Sequence, residues 1–163
     1  MAFAMMAVFS LTFTSCGDDK DEPGSFKFDQ ININGKNYAS YGYNMPITYI
    51  SSWEDGELSI LLTLGELSDA ANEEFDYDYM IEIDCEGGNK PSVGTNLADY
   101  PEIDILIMLD GYEYATYTSG DAIVKSVKND DHITIEFKDF KCIDRSSKSY
   151  TFNGTVKLSY DVD

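Results

Sequence analysis

Basic side chains are scarce in this sequence. Its 163 residues carry 11 Lys and Arg against 30 Asp and Glu, a net charge of −19. Phosphate backbones are held by clustered Lys and Arg, so the balance speaks against nucleic acid as a partner. It speaks equally against docking by charge on an anionic bilayer. Histidine occurs once, at His132. A Ser-His-Asp or Cys-His centre would have to use that residue, and its place after Asp130-Asp131 reads as a turn instead. One His and, after Cys16, only two Cys are too few for a zinc site of several such ligands. Gly87-Gly88 lacks the Lys-Ser and the helix that a phosphate loop requires. Glu73, Glu74, Asp76 and Asp78 crowd together, but not at the spacing of a calcium loop. No catalytic residue, metal or cofactor is expected. A hydrolase built on a carboxylate pair is the one enzymatic alternative, and no spacing selects two acids from the 30 present.

Charge is also missing from Met1 to Ser15. The apolar run Ala2 to Phe13 has the length of a signal-peptide core and falls short of the ~20 residues of a membrane span. The basic residues that normally precede such a core are absent, which we read as a misplaced start. The run ends in Phe13-Thr14-Ser15-Cys16, which resembles the lipobox of bacterial lipoproteins, with Phe13 where Leu is more usual. That resemblance implies removal of residues 1–15 and acylation of Cys16, hence a membrane partner reached through lipid rather than charge. Residues 16–25 then form a tether, whose Asp18, Asp19, Asp21 and Glu22 are too charged to pack. This acidic run is similar to the export signal of Bacteroidetes surface lipoproteins, which implies display on the outer membrane at the cell surface. A plain spacer on a periplasm-facing lipoprotein is the alternative.

Residues 26–163 read as a single all-β domain. Leu58, Ile60, Leu62 and Leu64 alternate with their neighbours. So do Tyr77 to Cys85, Ile103 to Leu109, Ile133 to Phe137 and Tyr150 to Val162, as expected of half-buried strands. Asn34-Gly35 and Asp110-Gly111 are two-residue turn signals. Only Glu66 to Glu74 has local helical character. About nine or ten short strands predict an antiparallel sandwich, with an up-and-down or lipocalin-like barrel as the alternative. The stretches Ile31 to Tyr38, Tyr117 to Val124, Ile133 to Phe140 and Tyr150 to Val156 resemble small Bacteroidetes outer-membrane lipoproteins. The resemblance implies a β-sandwich and no enzymatic role.

Aromatic residues supply the functional expectation. Twelve Tyr and one Trp are present, and exposed Tyr and Trp faces stack on sugars or hold protein partners. Tyr41, Tyr43, Tyr49 and Trp53 are the candidate ligand-binding residues, around a loop marked by Pro46. Tyr112, Tyr114 and Tyr117 form a second group. Cys85 and Cys142 either pair as a disulfide or pack as buried free thiols. The expected role is non-catalytic binding of a glycan or protein at the cell surface. An accessory subunit of a surface complex and a carrier of a small apolar ligand are the alternatives.

Overall fold

The computed structural model describes residues 29–40, 50–54, 57–68, 79–128 and 132–161. Cys16, the four acids after it, Tyr41, Tyr43 and Tyr49 lie outside them, as does the expected helix beyond Ser68. The strands are β1 (Asp29–Ile33), β2 (Lys36–Ser40), β3 (Ile50–Glu54), β4 (Glu57–Glu66), β5 (Tyr79–Glu86), β6 (Glu102–Met108), β7 (Glu113–Lys128), β8 (His132–Asp144) and β9 (Ser149–Asp161), with a short 3-10 turn at Leu97–Asp99.

Alternate side chains of β4, β5 and β9 turn inward. Leu58, Ile60, Leu62 and Leu64 of β4, Ile81, Ile83 and Cys85 of β5, and Tyr150, Phe152, Val156 and Leu158 of β9 are all buried. Burial of a Leu, Ile, Val or Phe contributes about 1.5–3 kcal/mol each, so the alternating pattern fixes which face turns inward. Asn34 and Gly35 both take positive φ, 52° and 86°, the backbone that a two-residue hairpin turn requires.

The sheet closes on itself. Taken in the order β4, β5, β6, β7, β8, β9, β1, β2, every strand pairs antiparallel with the next, and β2 pairs back with β4. The result is an eight-stranded antiparallel barrel, so the expected sandwich is corrected to a ring. Alternation does not separate the two, because both bury one face of every strand. Closure is decided by the pairing of β1 with β9, between residues more than a hundred positions apart. Phe152 to Gly154 of β9 meets β1, and Ser159 to Asp161 meets β3 in the one parallel pairing among the described residues. β4 likewise pairs with β3 through Glu57 to Ile60 and with β2 through Leu64 to Glu66. The β1–β2 hairpin and β3 therefore fill the same seam, end to end.

Gly154 makes the seam close enough to pair. Its φ is +137°, and a Cβ there would sit 2.6 Å from the carbonyl oxygen of Gln30 in β1. β7 runs unbroken from Glu113 to Lys128 because register shifts between Tyr117 and Asp121 absorb a break in the alternation. Inside, Phe137 and Phe140 meet at 5.6 Å between ring centroids and Phe140 and Phe152 at 5.9 Å, both edge-on.

The β5–β6 connection packs against the far half of β7. Gly94 donates to the Val124 carbonyl, and Val124 donates to that of Thr95. The Asn96 amide donates to Asp121 at 2.8 Å, and its oxygen accepts from the Ala122 N–H at 3.0 Å. These bonds seat Leu97, which is buried. The opposite end of the barrel carries the three short turns 34–35, 109–112 and 145–148.

Candidate functional site

The rim formed by turns 109–112 and 145–148 is built on Asp144. This last residue of β8 points inward and is buried. Its Oδ1 accepts from the Ser146 N–H (2.8 Å), the Ser146 hydroxyl (2.7 Å) and the Lys148 N–H (2.8 Å), and its Oδ2 from the Tyr150 hydroxyl (3.3 Å). Burial pushes this carboxyl up, but the hydrogen bonds from Ser146, Lys148 and Tyr150 outweigh it and hold the group below its ordinary range. Asp110 adds a link across the rim, with Lys148 Nζ 3.3 Å from its carboxylate. A recess of about 70 Å³ lies between the two turns, lined by Ile107, Asp110, Glu113, Asp144 and Lys148 among others.

The strand register then determines what faces out. Ala115 is opposite Asp144 and Thr116 opposite Ile143, with Leu106 opposite Tyr114 and Asp104 opposite Thr116 on the other side. Ala115 and Asp144 point in, so Tyr114, Thr116, Ile143 and Asp104 point out. The Arg145 guanidinium lies over the Tyr114 ring, 5.2 Å from its centroid. Together with Asp104, these residues line an outer groove of about 230 Å³. Tyr112 is 78% exposed, Tyr114 58% and Ile143 39%, and they account for three of the four exposed large hydrophobics among the described residues. An aromatic face, a guanidinium donor, a hydroxyl and a carboxylate acceptor thus share one shallow surface.

Beyond the groove the outer wall is acidic. Glu57, Glu86 and Glu102 stand in register across β4, β5 and β6, and Asp84 stands opposite Asp104. The charge of Glu57, together with burial and the charges of Glu102, Asp104 and Asp84, pushes the Glu86 carboxyl above its ordinary value. Burial, aided by Asp84, does the same for Glu82.

Other expectations resolve differently. Trp53 lies within β3, opposite Leu58, so it occupies a strand rather than a loop. Tyr117 is half-buried: its hydroxyl donates to the Gly120 carbonyl at 2.7 Å, and its ring packs on Phe140 at 5.1 Å. Cys85 and Cys142 are buried free thiols. They lie on β5 and β8, separated by β6 and β7. Three strand steps of ~4.8 Å exceed the Cα separation of under ~7 Å that a disulfide tolerates. Burial, with added repulsion from Asp84 and Asp144 respectively, pushes each thiol to about 12. Among the described residues, no three His, Cys, Asp or Glu are grouped to hold a metal ion.

Sequence reading grouped Tyr112 with Tyr114 but missed Asp104, Thr116, Ile143 and Arg145. Their convergence depends on two inter-strand registers that no local pattern encodes. No protein-family model, curated protein or solved structure matches the chain.

Proposed function

We propose that this chain is a non-catalytic binding module, held at the outer-membrane surface by a lipid on Cys16, and that the Tyr114 groove is where it takes a glycan. The observation that carries the ligand site is the convergence of the exposed Tyr114 and Ile143 on one groove that also holds Arg145, Asp104 and Thr116. A sugar offers a flat apolar ring face and a border of hydroxyls. Tyr114 matches the first, and the guanidinium, hydroxyl and carboxylate match the second. The Asp144 network keeps the turn beneath Arg145 rigid, which lowers the ordering cost of binding. Phe137, Phe140, Phe152 and the aliphatic side chains facing inward form one buried cluster, which favours a ligand on the outer wall over the internal ligand of a lipocalin-like carrier.

The test is glycan-array binding of the wild type and of Tyr114→Ala. Loss of a stacking ring at an exposed position weakens binding by about 1–2 kcal/mol, roughly tenfold, while stability changes by no more than ~0.5 kcal/mol. Unchanged glycan binding, or a steep fall in melting temperature, would count against the groove. Capture of a protein but of no glycan would move the reading to an accessory subunit.

A further inference from the structure

We infer that the Tyr114 groove selects uncharged sugars and turns away uronic and sulfated ones. This rests on the glycan reading above and concerns only which glycans the groove admits. Ile81, Ile83, Cys85, Ile105 and Ile107 are buried inward, so Glu82, Asp84, Glu102 and Asp104, of opposite phase on the same strands, project outward. Asp104 stands in register with Thr116 of the groove and with Asp84 on its other side. Glu82 stands in register with Leu106, which in turn faces Tyr114. At ~4.8 Å per strand step, Asp104 lies one step from β7, and Glu82 and Asp84 two. All three fall within the ~10 Å screening length of 0.1 M salt.

No ion pair among the described residues reaches Glu82, Asp84, Glu102 or Asp104. Among the described residues, Arg145 is the one cation lining the groove. Alone it would invite a carboxylate, but its single charge faces several uncompensated negative ones. Lys148 on the adjoining turn is already paired with Asp110. The upward shift of Glu86 under the charges of its neighbours is a second sign that this wall is an uncompensated negative field. A hydroxyl-bordered sugar is indifferent to that field, whereas a uronate or sulfate is repelled by it. One unit charge about 10 Å away in water corresponds to roughly a factor of two in binding. The surplus on this wall then gives about a tenfold preference at low ionic strength, fading as salt rises.

Affinity electrophoresis of the full chain tests this, in gels carrying neutral polysaccharides (mannan, laminarin, xylan) and their carboxymethylated or sulfated derivatives. The wild type should be retarded about tenfold more by a neutral polymer than by its charged derivative in dilute buffer, and nearly equally in molar salt. The triple variant Glu82→Gln, Asp84→Asn, Glu102→Gln should close the gap in dilute buffer while still binding the neutral polymer, and thermal melts should show it folded. Equal or stronger retardation by the charged derivative in dilute buffer, abolished by Tyr114→Ala, would overturn the selectivity and leave the glycan site standing. Retardation by no polymer at all would overturn both.

Discussion

Asp144 accepts four hydrogen bonds from within seven residues of chain, and so fixes both the turn that carries Arg145 and the start of β9. Replacing it by Ala leaves the Ser146 and Lys148 N–H groups and the Tyr150 hydroxyl without their acceptor. Asp144→Ala is expected to lower the melting temperature at neutral pH by several degrees, and to weaken glycan binding through a loosened Arg145. The sign of its pH dependence follows from the direction of its shift. A carboxyl held below its ordinary range contributes stability above the unfolded value near 3.9 and loses it as pH falls through the folded value. Glu66 and Glu136 behave likewise, each lowered first by a lysine hydrogen bond. Glu82 and Glu86 are shifted the other way, so ionising them costs the fold stability that returns as pH falls through their raised values. Urea unfolding from pH 7 down to 3 should therefore show the wild type gaining slightly toward mild acidity and losing below pH ~4. The gap to Asp144→Ala should narrow over that last interval; a constant gap would mean the carboxylate is not ionised in the fold.

At the scale of strands, closure turns on Gly154. A methyl group there would press on the Gln30 carbonyl of β1 and impose a backbone that side-chain-bearing residues rarely adopt. Gly154→Ala should cost at least about 2 kcal/mol, read as a lower urea midpoint, with faster amide exchange across β1 and the middle of β9. An unchanged midpoint would show that the seam yields. Here the limits of the sequence are plain. The final strand was legible because Tyr150, Phe152, Gly154, Val156 and Leu158 keep one phase, and four of the earlier strands were legible in the same way. The turn at Asn34-Gly35 was legible because its residues are chosen for positive φ. β3 was not: Ile50-Ser-Ser-Trp-Glu54 has no alternation, and it earns strand geometry only from partners in β4 and β9. The ring was not legible either, since nothing within Tyr150 to Leu158 says that the face of Gly154 meets Ile31. The groove fell between these cases, with Tyr114 visible within a tyrosine cluster and Ile143 and Arg145 placed only by the β7–β8 register.

For the whole molecule, the proposed anchor makes a plain prediction. Cys16→Ser should move the protein from the membrane fraction to the soluble one, because a net charge of −19 gives it no electrostatic attraction to an anionic bilayer. A mutant that still sediments with membrane would remove the lipid from the account. The ring bears on the same question of display. Pairing β1 to β9 and β2 to β4 closes the eight-stranded ring among the described residues, so copies crowded by the proposed anchor would find little open ladder there to extend.

The direction in which the chain enters β1 adds a sense of up and down. β1 runs toward the turn at Asn34-Gly35, on the same rim as turns 109–112 and 145–148, so its first residue, Asp29, stands at the end of the strand away from that rim. The stretch from Cys16 to Asp29 spans 13 residues, a leash of at most ~45 Å when fully drawn out. On the proposed anchor at Cys16, a body moored from that side would float with its Tyr114 rim facing away from the bilayer, toward whatever drifts past the cell.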